Sequence, residues 1–208
     1  MKRQFLVVGA LLLICSMAMC INQVQIPDGF IESYGNIQTT QKEIETTYLA
    51  YEDQVNKRIA YVESNVNQSK VDSKHLLSLL QSELLIIEEM NQKSALYSKQ
   101  INDLYNESTN IKNSEAKSKA NGLIIDLRSS QQYLAKGTIN LRDATQSMGK
   151  AINYYATGAD ITDPLIQQEI QSLDLDSRTL FDSAVSDLNT YYNIALEANA
   201  TYQELLKM

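Results

Sequence analysis

The sequence predicts an all-α fold, an elongated antiparallel four-helix bundle or coiled coil preceded by an N-terminal hydrophobic signal or anchor segment. Three observations predict it. No proline lies between Asp28 and Asp163, and proline is the residue that helix interiors exclude. Apolar residues recur in steps of three and four over the rest of the chain, which is the helical period. Ahead of them, Lys2 and Arg3 precede seventeen uncharged residues, Phe5 to Ile21.

That uncharged run spans about 25 Å as a helix, the short edge of what crosses a hydrocarbon core. No Lys or Arg follows until Lys42, so the positive-inside rule leaves the remainder outside the membrane. The same residues parse as a secretory signal, with Ser16-Met17-Ala18 as a small-x-small cleavage site. A third parse makes Cys20 a lipid-modified terminus, although Met19 is larger than the residue that chemistry prefers there. The expected organisation is therefore a signal or anchor over 1–21, a linker over 22–29 and a bundle over 30–208.

The first helix is expected over about 30–67, with the stripe Phe30, Tyr34, Ile37, Ile44, Tyr48, Tyr51, Val55, then Ile59 or Arg58, Val62 and Val66. Asp28 after Pro27 reads as its N-cap, and Thr40 with Glu43 offers a second, later capping box. The second, about 72–112, carries Leu76, Leu77, Leu80, Leu84, Ile87, Met90, Tyr97, Ile101, Leu104 and Ile111. Its segment LLSLLQSELLII has extra apolar residues off the stripe, which predicts burial on two sides.

The third, about 116–157, runs from Ala116, Ala120, Leu123 and Leu127 through Leu134, Leu141, Ala144 and Met148 to Tyr155, and Gly158 is placed to end it in a left-handed conformation. Gly137 lies on or beside this stripe, where a neighbouring backbone can approach closely. The fourth, about 163–206, opens with Asp163 as N-cap and Pro164 at the first helical position. Short polar connections favour antiparallel neighbours. The connection near 110–118 holds no proline, so one continuous helix over about 72–157, in an oligomeric coiled coil, is the alternative.

Composition narrows function by exclusion. The chain carries −7, and the part after Lys2 and Arg3 is more acidic still, which disfavours nucleic acid and anionic lipid. Cys15 and Cys20 both lie in the opening run, so the bundle has neither a disulfide nor a cysteine nucleophile. His75 is the only histidine, too few for a multi-histidine metal site. No glycine-rich phosphate loop or G-x-S-x-G elbow occurs. No cofactor is expected. Asp174 with Asp176 and Glu88 with Glu89 read as solvated acidic faces, since neighbours one or two apart on a helix diverge.

Two groups of residues remain as weak site candidates. Asn67, Asn106 and Asn199 sit in N-x-S/T sequons, glycosylation acceptors in an exported chain. Among twelve tyrosines, Tyr48, Tyr51, Tyr155, Tyr191 and Tyr202 fall on the stripes and should fill the core, whereas Tyr61, Tyr133 and Tyr192 are better placed for surface recognition.

The expected function is an exported, non-enzymatic cell-surface module for binding, spacing or envelope assembly. A protein or cell-envelope partner is expected, with membrane contact through the opening run where it is uncleaved, and a homo-oligomer is compatible. In shape the chain resembles the extracytoplasmic four-helix bundles of chemoreceptors and sensor kinases. The resemblance implies, as an alternative, a ligand-sensing accessory domain, although the second membrane span and signalling module of those proteins have no counterpart here. A carboxylate-only glycan hydrolase is the remaining alternative and needs two acids converging on a cleft.

Overall fold

A computed structural model describes residues 25–66 and 71–208, so the opening run and Asn67 lie outside the described residues. Four helices make up the described chain: α1 (Asp28–Val66), α2 (Ser73–Ser108), α3 (Ser114–Ala156) and α4 (Pro164–Leu205). Each is about 60 Å long at 1.5 Å per residue.

Local chemistry sets the boundaries. The side chains of Asp72, Asn113 and Asp163 accept hydrogen bonds from the backbone N–H groups of Lys74, Ala116 and Leu165, capping α2, α3 and α4. Pro164 opens α4 as expected, and Gly158 takes φ +71 just past the end of α3. α1 differs from expectation. Asp28 and Gly29 belong to the helix, and the Pro27 carbonyl accepts from the N–H groups of Phe30 and Ile31. Thr40 begins nothing, being buried in mid-helix. The chain between 72 and 157 divides into two helices, because a turn over Thr109–Asn113 ends α2 four residues early and tucks Ile111 into the core.

Consecutive helices run antiparallel and share seams. Arg58 meets Glu83 across α1 and α2, and Lys136 meets Asp187 across α3 and α4. The α1–α4 seam is different. Among the described residues no Cα of α1 comes within 8 Å of a Cα of α4, whereas each consecutive pair of helices approaches that closely.

Side-chain size explains the difference, since interaxial distance follows the residues at the contact. Helices α3 and α4 approach closely where Gly137 faces the Ala184 carbonyl and Leu188. At Gly137 an added Cβ would lie 2.8 Å from Leu188 Cγ. Helices α1 and α4 are held apart by aromatic rings. Tyr34 stacks on Tyr202 with centroids 3.7 Å apart, and Gln38 Nε2 donates to Asn199 Oδ1 at 2.9 Å.

A buried hydrogen-bond chain crosses three helices near the middle. Gln41 Nε2 donates to Tyr97 Oη (3.0 Å), which lies 2.9 Å from Ser130 Oγ. The Ser130 hydroxyl donates to the Leu127 carbonyl, so its single proton is used and the Tyr97 hydroxyl must donate to it. Burial pushes the Tyr97 hydroxyl up to about 12.

Packing is uneven along the bundle. The end holding the start of α1 and the end of α4 buries Phe30, Tyr34, Leu104, Leu123, Tyr202 and Leu205 almost completely. At the opposite, distal end, α4 buries no residue before Ser177, and Ile166, Ile170 and Leu173 stay half-buried on the same helical stripe. Tyr155, expected in the core, is half-exposed there. The two-sided burial expected of LLSLLQSELLII does not occur: Leu85 points to solvent, and Leu77, Leu79, Leu84 and Ile86 are half-buried.

Two contrasts test this packing by urea or thermal unfolding. Gly137→Val is expected to cost about 1–3 kcal/mol by overpacking the α3–α4 seam. Gly122→Ala meets nothing within 4 Å and is expected to gain up to about 1 kcal/mol from helix propensity. Tyr97→Phe, which leaves Gln41 Nε2 without its acceptor, is expected to cost about 1–3 kcal/mol. Tyr34→Phe removes a buried hydroxyl that has no hydrogen-bond partner among the described residues, and is expected to be neutral or stabilising.

Candidate functional site

The α1–α4 seam is where the bundle departs from closed packing. In its middle, a cavity of about 40 Å³ is lined by Tyr48, Tyr51, Glu52, Val55 and Asn56 of α1 and Phe181 of α4. The Tyr48 hydroxyl hydrogen-bonds the Glu52 carboxylate one turn on. Burial raises both groups, Tyr48 to about 12 and Glu52 above the usual carboxylate range.

Beyond Phe181, toward the distal end, the helical stripes are less completely covered. Ile59 and Val62 continue the α1 stripe, and Leu173, Ile170 and Ile166 continue that of α4, all incompletely covered. The sequence sets this apolar lining by its i, i+3, i+4 spacing. Distal to Phe181 no aromatic pair like Tyr34–Tyr202 spans α1 and α4 among the described residues.

Behind the cavity lies a buried ion pair. Arg58 Nε donates to Glu83 Oε1 at 2.6 Å, with the Glu83 side chain only 1 % exposed. Burial raises the Glu83 carboxyl above the usual range despite Arg58, so desolvation outweighs the attraction. Tyr51, whose hydroxyl hydrogen-bonds Thr145, is pushed upward by its own burial and then by the Glu83 charge.

A second depression of about 460 Å³ lies over α3 and α4, lined by Lys136, Thr179, Asp182, Ser183, Ser186 and Asp187. It is open to solvent, and the buried Asp187 carboxylate within it already accepts from Lys136 Nζ and Asn140 Nδ2. Among the described residues no group of three or more His, Cys, Asp or Glu is arranged to hold a metal ion. No described helix is long and apolar enough to cross a membrane.

The residues singled out in the sequence are scattered. Asn106 is exposed in the last turn of α2, and Asn199 is half-buried, accepting from Gln38. Tyr61 is half-buried, its ring edge-on to His75 and its hydroxyl accepting the Asp72 N–H at 2.8 Å. Tyr133 is exposed on α3, and Tyr192 packs against the core from α4. These three tyrosines stand on three helices and form no common surface.

Sequence reasoning missed Glu83, which sits on the stripe of Leu76, Leu80 and Ile87. The signal was present, because Arg58 occupies a stripe position on α1 opposite it. Compared with known proteins, the chain matches no family model, no curated protein and no solved structure.

The Glu83 pair makes a pH prediction. A glutamate whose folded pKa is raised stabilises the fold fully below its unfolded pKa and loses that contribution as pH rises through the folded value. The unfolding free energy of the wild type, relative to Glu83→Gln, is therefore expected to increase on acidification from pH 7 to about pH 5. Glu83→Ala, which leaves Arg58 without its carboxylate, is expected to cost about 3–5 kcal/mol. Urea unfolding across that pH range measures both effects.

Proposed function

We propose that this chain is an exported, non-enzymatic helical bundle of the cell surface, acting as a binding, spacer or envelope-assembly module. The observation that carries the binding part is the wide α1–α4 seam, across which no Cα pair comes within 8 Å among the described residues, with Ile59 and Val62 of α1 and Ile166 and Ile170 of α4 left incompletely covered toward the distal end. Export is supported by Lys2 and Arg3 ahead of the uncharged Phe5–Ile21 run. A retained run anchors the module in the membrane; a cleaved one releases it; lipid on Cys20 tethers it.

The ligand-sensing alternative draws on the same seam, but its cavity of about 40 Å³ is far below the 300–1,000 Å³ of typical small-molecule sites. The glycan-hydrolase alternative needs two acids facing one cleft. Glu52 and Glu83 both have raised pKa values, yet Glu83 is engaged by Arg58 and only Glu52 lines the cavity.

Cell fractionation, protease shaving of intact cells and mass spectrometry of the mature N-terminus test this reading together. The expected result is a protease-accessible chain that is either membrane-bound with Phe5–Ile21 intact, lipidated at Cys20, or cut near Ala18. Full-length chain recovered only from cytosol would overturn it.

A further inference from the structure

The cavity at the middle of the α1–α4 seam combines one acid with three aromatic side chains. Tyr48, Glu52 and Asn56 recur every fourth residue along α1, which sets them one above another on a single face. Tyr51 and Val55 line the cavity from the same helix, and Phe181 lines it from α4. The rings of Tyr48 and Tyr51 have centroids 6.3 Å apart. Among the described residues Glu52 is the one carboxylate in the lining. The Tyr48 hydroxyl donates it a hydrogen bond, which leaves most of its lone pairs unused. No Lys or Arg among the described residues pairs with it. The cations nearest in sequence are engaged elsewhere, Lys57 with Asp53 and Arg58 with Glu83. Burial raises the Glu52 carboxyl, as it does for an anion drawn partly out of water without a counter-charge.

A half-buried carboxylate without a counter-ion, set among aromatic side chains, suits a cation with an apolar stem. Size selects further. About 10–15 Å³ of such space admits one water, so a cavity of about 40 Å³ takes an ammonium and a short length of stem, and no sugar ring. A hard metal ion fits poorly, because it asks for about six oxygen ligands and the lining offers a single carboxylate. We propose that this cavity binds the ammonium group of a primary alkylamine, with Glu52 accepting from its N–H groups and Tyr48, Tyr51 and Phe181 around its first carbons. Tyr48 and Glu52 are half-buried and Asn56 is exposed, so the mouth is reachable and the rest of the amine stays in solvent. A free small amine and a lysine side chain of a partner protein both present this group. The assignment names a ligand class for the binding reading above and rests on it.

Titration of the isotope-labelled full chain in neutral detergent micelles, followed by NMR, tests the assignment. The probe is n-butylamine in its ammonium form. Its controls are n-butanol, which lacks the charge, and tetramethylammonium, which keeps the charge but is bulkier and has no N–H to donate. n-Butylamine is expected to shift the resonances of Tyr48, Glu52 and Phe181 saturably, and both controls to bind at least about ten-fold more weakly. Glu52→Gln and Phe181→Leu are each expected to weaken binding about ten-fold. Asp53→Asn, which alters the neighbouring carboxylate that already holds Lys57, is expected to leave it unchanged. Nα-acetyl-lysine methylamide separates the two sources: binding tighter than that of n-butylamine assigns the site to a partner's lysine, and equal or weaker binding assigns it to a free amine. Circular dichroism and unfolding midpoints establish that each variant is folded.

Equal binding of n-butanol or tetramethylammonium would overturn the proposal, as would equal loss in Asp53→Asn or indifference to either cavity substitution. Absence of a saturable shift from both amines would leave the cavity to water and overturn it too. These outcomes are independent of compartment, so a cytosolic chain that binds the amine refutes export alone. An exported chain that does not bind it refutes the ammonium site alone.

Discussion

The spacing between α1 and α4 is the constraint on which the rest of the molecule depends. Helices approach as closely as the side chains between them allow. Gly137 lets α3 and α4 nearly touch, to the point that a methyl on it collides with Leu188. The stacked rings of Tyr34 and Tyr202 hold α1 and α4 apart at the proximal end. A bundle with one tight seam and one wide seam cannot be symmetric about its axis. Proximally Tyr34 and Tyr202 fill the wide seam; toward the distal end the aliphatic residues of α1 and α4 are only partly covered.

Buried polar groups fix how the helices slide against each other. A purely aliphatic stripe tolerates a shift of one turn, because its residues repeat at that interval. The chain from Gln41 through Tyr97 to Ser130 tolerates none, since a turn of slippage parts Gln41 Nε2 and the Tyr97 hydroxyl from each other and from Ser130. Arg58 and Glu83 impose the same restriction on α1 and α2. Their cost in desolvation is visible in the raised Glu83 carboxyl.

The two ends of the bundle then differ in kind. Proximally, aromatic rings and tight seams leave little surface for a partner to gain by covering. Distally, half-covered aliphatic residues on α1 and α4 remain available, and uncovering them costs the fold nothing further.

Much of the fold was legible in the sequence. Asp163-Pro164, Gly158 and the long proline-free stretch announced where helices begin and end, because capping and left-handed turns are local chemistry. The polar interior was only half legible. Wherever the apolar stripe skips a turn, as between Ile37 and Ile44, Met90 and Tyr97, or Leu127 and Leu134, a buried polar residue fills the gap: Gln41, Ser94 and Ser130. Glu83 was hidden by the leucines around it. Tyr155 was misplaced because periodicity reports which face of a helix points inward, not whether anything covers it. The width of the α1–α4 seam was not legible at all. The sequence by itself determined the helices, their caps and their inward faces; the tertiary structure alone decided which two helices stand apart, because interhelical distance depends on pairs of side chains that lie far from each other along the chain.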